Sequence, residues 1–222
     1  MGNLAGDSSR VAEANRIGKW PHLVALRTAP REAGSGAPDL AEAADRDAVE
    51  RTLDGDVEAF AGVVRRHGGG LTGLCARMVG DRQLGEELAQ EALARAYTRA
   101  GSWRGDCRFR HWLYRIAVNC CRDYLKAGAR AEQPSGLGGE EVASPRDPER
   151  EVAGRQLLEA LEAAIGRLPP KYREAFVLFH VENLGYEEIR AITGMSVTAL
   201  KVRAHRARLM LRRSLGDDLE GS

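Results

Sequence analysis

From Asp47 onward, apolar residues return every three or four positions, the repeat of an α-helix buried along one stripe. DAVERTLDGDVEAFAGVVRRHGGGLTGLCARMVG places Val49, Leu53, Val57, Phe60, Val63 and Val64, then Leu71, Leu74, Cys75 and Met78, at such spacings. The pattern predicts two helices meeting near the glycine run HGGG. DRQLGEELAQEALARAYTRAG follows, with Leu84, Leu88 and Ala92 on one row and Leu93, Ala96 and Tyr97 beside it, so a third helix leaves Glu86, Glu87, Gln90, Glu91 and Arg95 outside. A turn at Arg104, Gly105 and Asp106 leads to a fourth helix, in which Leu113, Ile116, Ala117, Cys120 and Tyr124 share a face. His111, Arg115, Arg122 and Lys126 fall opposite, with Trp112 and Asn119 on one shoulder.

The periodicity then lapses. GARAEQPSGLGGEEVASPRDPER, from residue 128 to about 150, is rich in Gly, Pro, Ser and charge and reads as a linker. It resumes with Val152, Leu157, Leu158, Leu161, Ala164, Ile165 and Leu168, and breaks at Pro169 and Pro170, the second of which can open the next helix. That helix would bury Phe176, Val177, Phe179 and Val181. A short helix from about Tyr186, a turn at TGMS and a longer helix N-capped by Ser196 then form a helix-turn-helix.

The expected fold is therefore all-α: two small helical domains, 46–127 and 151–216, joined by a flexible linker at 128–150. Residues 1–45 lack a sustained period and read as a flexible extension, and 217–222 as an acidic tail. Composition agrees, because 43% hydrophobic but only 5% aromatic residues suit helices better than a β-sandwich. No apolar run approaches the roughly 20 residues of a membrane span, and the N-terminus has no signal-peptide pattern, so a cytoplasmic protein is expected. Cys75, Cys107, Cys120 and Cys121 then read as reduced thiols.

A formal net charge of +1 excludes a general polycation, but the charge is sorted along the chain. Asp81 to Glu91 is mainly acidic, while Arg99 to Arg130 and Lys201 to Arg213 are basic. In the last helix Val197, Leu200, Ala204, Ala207 and Leu211 form the packing row. The opposite side offers Thr198, Lys201, Val202, His205 and Arg206 in its first turns, where a recognition helix reaches base edges, and Arg208, Arg212 and Arg213 further along for phosphates. A solvated basic helix is the plainer alternative, against which the preceding short helix and Gly194 at the corner weigh. In the fourth helix the basic stripe lies among Trp103, Phe109, Trp112 and Tyr114, and arginines interleaved with aromatics suit an unstacked nucleic-acid strand. Neither a catalytic constellation nor a metal or cofactor site is expected. His67 and Cys75 lack zinc spacing, and acidic residues at the start of the third helix serve its dipole.

EELAQEALARAY, WRGDCRFRHWLYRIAVNCCRDYL and YEEIRAITGMSVTALKVRAHRAR, in this order, resemble the signature stretches of bacterial sigma factors of the extracytoplasmic-function (ECF) group of the sigma-70 family. The resemblance runs from about Asp47 to Leu215. It implies a transcription initiation factor, not an enzyme, that brings core RNA polymerase to promoters through the clamp helices and flap. It further implies that Glu87, Gln90, Glu91 and Arg95 grip the clamp helices. Trp103, Arg110, Trp112, Arg115, Asn119, Arg122 and Lys126 would open and read the minus-ten element. Ser196, Thr198, Lys201, Val202, Arg203, His205, Arg206 and Arg208 would read the minus-thirty-five element as duplex. An anti-sigma factor is an expected partner, and a polymerase-independent helix-turn-helix regulator is the alternative function. One departure concerns pose: Arg190 stands where the family usually has a small residue, so it either extends to solvent or alters the crossing of the last two helices.

Overall fold

The computed structural model describes residues 40–130 and 160–220, and among them all regular structure is helical. In the N-terminal unit, α1 spans Leu40–Leu53, α2 Val57–Val79, α3 Arg82–Thr98 and α4 Phe109–Arg130, with a single 3-10 turn at Ala100–Ser102. Helix α1 begins five residues before the expected end of the extension, and its Asp45 is buried, accepting from Arg66 Nε at 2.9 Å and paired with His67 Nε2 at 2.8 Å. Glu42 accepts the Phe109 backbone N–H through both carboxylate oxygens, at 2.9 and 3.1 Å. That places a negative charge at the positive end of α4.

The glycine run does not interrupt α2. The break lies earlier, at Asp54, Gly55 and Asp56, where Gly55 takes a φ of 99° and Asp56 caps α2 by accepting from the Ala59 N–H. Gly68, Gly69 and Gly70 remain helical because both halves of α2 are anchored by buried Phe60, Val63, Leu71 and Leu74. Tertiary packing outweighs the roughly 1 kcal/mol helix penalty of each glycine. Leu53, Val57 and Val64, expected in the core, are exposed.

Helices α2 and α3 cross closely at Gly85: a Cβ added there would lie 2.4 Å from the Ala76 Cα. Asp81 caps α3 by accepting from the Leu84 N–H at 2.8 Å. The core of this unit joins Val63, Leu71, Leu74, Cys75 and Met78 of α2 to Leu88, Ala92 and Ala96 of α3 and Phe109, Leu113, Ala117 and Cys121 of α4. Cys120 is buried as the periodicity indicates, but Tyr124, placed on the same face, is exposed, and Cys121 is buried in addition.

In the C-terminal unit, helical backbone at 160–167 forms α5, and α6 at Pro170–Phe176 starts on Pro169 as cap with Pro170 at its first position. Helix α6 continues as a π turn over Val177–Val181, closed by the Glu182 N–H donating to the Val177 carbonyl at 2.9 Å. The wider turn rotates the buried face, so Leu178 is fully buried and Phe179 only half-buried. Helices α7, Tyr186–Thr193, and α8, Val197–Glu220, complete the unit. α8 runs on past the expected start of the tail. Helix α4 runs three residues into the expected linker, and residues 1–39 and 131–159, with the rest of that linker, lie outside the described residues.

The two units pack against each other, α4 against α7 and α2 against α6. Helix α4 is thereby covered on two sides, which is why Tyr114 and Val118 are buried along with its primary core row.

Candidate nucleic-acid interface

Helices α7 and α8 form the expected helix-turn-helix. Gly194 ends α7 with a φ of 73° and its N–H donates to the Arg190 carbonyl, a left-handed cap that glycine adopts without a Cβ penalty. The Ser196 hydroxyl accepts from the Ala199 N–H at 3.3 Å and starts α8. Leu200, Ala204, Ala207 and Leu211 are buried on one side of α8, which fixes the other side outward.

On that outward side Ser196, Thr198, Lys201, Val202, His205 and Arg206 are exposed, with Arg203 and Arg208 half-buried at the flanks. Local contacts orient several of them. The Lys201 ammonium lies 5.7 Å from the Tyr186 ring centroid, and Tyr186 stacks on Phe179 at 4.3 Å. Arg206 donates to the Tyr172 hydroxyl at 3.4 Å, and Arg208 lies 3.3 Å from His205 Nδ1. Arg203 turns back to the Met195 sulfur at 2.6 Å. Arg190 extends to solvent, with its side chain 61% exposed and 3.5 Å from Glu187. It does not enter the crossing of α7 and α8.

Helix α4 presents two neighbouring rows. Arg115, Asn119 and Lys126 are exposed on one. Arg110 and Arg122 lie on the other, and both are engaged by the C-terminal unit. Arg122 makes a bidentate contact with Glu174 at 2.6 and 2.8 Å and donates to the Thr193 carbonyl at 3.1 Å. Arg110 donates to the Tyr114 hydroxyl at 2.7 Å and to Glu182 at 3.1 Å, while Tyr114 donates to the same Glu182 oxygen at 2.6 Å. Burial pushes the Tyr114 hydroxyl above its usual range, with the Glu182 charge adding to the shift. His111 faces Glu188 at 3.5 Å, and burial lowers its pKa from the ordinary value.

Trp103 and Trp112 sit in the core, only 7% and 8% exposed. Trp103 donates its indole N–H to the Cys107 carbonyl at 2.9 Å and meets Phe109 edge-on at 5.1 Å, and Phe109 contacts Trp112 at 5.3 Å. Their faces are used for packing in this arrangement. Sequence reasoning did not find Glu174, Glu182 and Arg173, because partners 50 or more residues away leave no periodic trace.

On α3, Glu87, Gln90 and Glu91 form an exposed ridge above buried Leu88 and Ala89. Arg95 pairs with Glu91 at 2.6 Å and approaches Asp123 of α4 at 3.9 Å. Among the described residues no cluster of three or more His, Cys, Asp or Glu is gathered as for a metal ion, and no helix is long and apolar enough to cross a membrane. The four cysteines are free thiols, three of them buried.

Comparison with known proteins accounts for both units. Residues 63–131 match the family model for sigma-70 region 2, and residues 158–211 the model for sigma-70 region 4. The RNA polymerase sigma-H factor of Pseudomonas aeruginosa is 32% identical over 185 residues, covering 79% of this chain and 96% of that protein. The ECF RNA polymerase sigma factor SigW of Bacillus subtilis is 34% identical over 178 residues, covering 76% and 95%. A solved structure of CnrH in complex with the cytosolic domain of CnrY matches with a TM-score of 0.55 at 27% identity, covering 79% of this chain and 99% of that one. Two matched regions in sequence order, joined by relatives similar across nearly their whole length, leave one conclusion: the chain belongs to the sigma-70 family, as an RNA polymerase sigma factor of the ECF group.

Proposed function

We propose that this sigma factor divides promoter recognition between its two units, with α8 reading the minus-thirty-five element as duplex and α4 capturing the opened minus-ten strand. The observation that carries this reading is the basic outward face of α8, held by a capped helix-turn-helix, on the same chain as the Arg115, Asn119 and Lys126 row of α4. In the first two turns of α8, Thr198, Lys201, Val202, His205 and Arg206 are the base-reading candidates, and Ser196, Arg203 and Arg208 supply backbone contacts. On α4, Arg110, Arg115, Arg122 and Lys126 neutralise phosphates and Asn119 hydrogen-bonds an exposed base edge. Trp103 and Trp112 support that surface from beneath, through their ring contacts with Phe109. Holding flipped bases offsets an unstacking cost of a few kcal/mol.

The α3 ridge of Glu87, Gln90 and Glu91, with Arg95, is the docking surface for the polymerase clamp helices, and the C-terminal unit binds the flap. The chemistry belongs to the polymerase, so the chain needs no catalytic group and no cofactor, and it acts in the cytoplasm. The relative CnrH is solved in complex with the cytosolic domain of CnrY, and a protein partner that binds this chain, an anti-sigma factor, is proposed also. Run-off transcription with purified core polymerase across the host's promoters is the test. Initiation at a defined subset is expected, and failure at every promoter overturns the reading.

A further inference from the structure

Leu53, Val57 and Tyr97 are 59%, 61% and 39% exposed at the corner where the end of α1, the start of α2 and the end of α3 meet. The contacts beneath them join the three into one surface. A three-residue turn connects Leu53 to Val57, and Leu53 lies against the 3-10 turn, its Cδ2 3.4 Å from a Cβ built on Gly101. Tyr97, four residues before Gly101, meets Phe60 edge-on at 5.4 Å, and Phe60 stands one helical turn beyond Val57. Val64, two turns beyond Val57 and also exposed, lengthens the strip along α2. Single exposed apolar residues are ordinary, but a continuous strip marks a contact surface.

The charge around the strip narrows what fits it. Glu50, Asp54 and Glu58 are exposed beside Leu53 and Val57, and none of the three is in an ion pair among the described residues, whereas Arg51 is taken up by Asp56 at 2.6 Å and Asp47 at 3.6 Å. Arg99, two residues past Tyr97, offsets part of that charge. The surface therefore suits an apolar segment with basic flanks.

One such segment belongs to this chain. Asn15 to Arg31, NRIGKWPHLVALRTAPR, sets Ile17, Trp20, Leu23, Val24 and Leu26 among Arg16, Lys19, Arg27 and Arg31, with no acidic residue. Its reach is also right. Thirteen residues, Arg27 to Asp39, separate Leu26 from α1, and a flexible chain of that length has an end-to-end distance of about 20 Å. Helix α1, 14 residues long, carries the chain back about 20 Å from Leu40 to Leu53. A tether whose length matches the span gives the greatest local concentration, on the order of millimolar, so even a weak contact is held.

We propose that the segment from Trp20 to Leu26 docks on the strip of Leu53, Val57 and Tyr97 within the same chain, with Lys19 and Arg27 meeting the carboxylates of Glu50, Asp54 and Glu58. The contact does not depend on which promoter surface each unit carries.

The test uses the full chain and reads Trp20. Trp103 and Trp112 are buried, and each protein's Trp20→Phe counterpart supplies the background to subtract. Acrylamide quenching of Trp20 is compared in the parent, in Leu53→Gln with Val57→Gln, and in Met210→Gln, which changes an exposed apolar residue of α8 as control. Trp20 is expected to be shielded in parent and control. In the strip variant its quenching constant should rise about threefold, to that of a synthetic peptide of residues 15–31. Glu50→Gln with Asp54→Asn and Glu58→Gln should raise it also, as should added salt. Leu23→Asp with Val24→Asp alters the segment alone, which keeps the contact measurable if the strip variant folds poorly. It should free Trp20 equally, and combining it with the strip variant should add nothing. Equal quenching of Trp20 in parent and strip variant overturns the proposal, as do additive effects of the two variants. Shielding that is lost on dilution, with a dimer in sedimentation, overturns it in favour of a second copy on the strip.

Discussion

At the scale of single residues, neighbours decide what a side chain is available to do. Asn119 projects from α4 with no core role, so Asn119→Ala is expected to leave thermal stability and polymerase binding intact while reducing promoter melting, read by permanganate reactivity of unpaired thymines. His180 behaves oppositely. Burial, with Arg208 nearby, lowers its pKa from 6.5 to about 4, so the folded chain holds it neutral. The unfolded chain takes up a proton more readily, and stability present above pH 6.5 is lost progressively as pH falls toward about 4. Melting curves between pH 7 and 5 should show this decline, and His180→Asn should flatten it. Arg190 shows a limit of reading by position: an arginine at a place usually held by a small residue is accommodated because its stem carries the charge out to solvent.

At the scale of elements, the glycines sort by what surrounds them. Gly85 lets the α2 and α3 backbones touch, so Gly85→Ala should force the helices apart at a cost of about 1–3 kcal/mol, and lower the melting temperature by several degrees. Gly69 has nothing within 4 Å of an added Cβ and lies mid-helix, so Gly69→Ala should stabilise by roughly 0.5–1 kcal/mol. The same contrast explains what was legible in the sequence. The helix-turn-helix, the proline start of α6 and the order of the helices follow from caps and periodicity that the local sequence carries. The continuity of α2 through HGGG does not, because it depends on buried residues at both its ends. The start of α1 was hidden in a weak pattern of alanines and charges, and its reason for being ordered, Glu42 on α4 and Asp45 on Arg66 and His67, lies more than 20 residues away. The π turn shifted the core from Phe179 to Leu178 without any sequence signal of its own.

At the scale of the molecule, the basic faces of α4 and α8 were legible as charge patterns, but the burial of the aromatics beside α4 and the relation of the two units to one another were not. A linker reading suggests independent units, whereas Arg173 ties them: buried, it donates to the Leu168 carbonyl at 3.0 Å within its own unit and to the Met78 carbonyl at 3.3 Å, near the C-terminus of α2. Arg173→Met leaves carbonyls of both units without that donor. It should lower a single shared calorimetric transition by about 1–3 kcal/mol, or split it in two as the units uncouple.

The ties between the units also bear on how the chain can vary. Glu182 reaches Arg110 and Tyr114, and Arg173 reaches the Met78 carbonyl, so a substitution at any of these positions is felt in both units at once. The two halves of the sequence are therefore constrained to change together, although neither carries a local mark of the other.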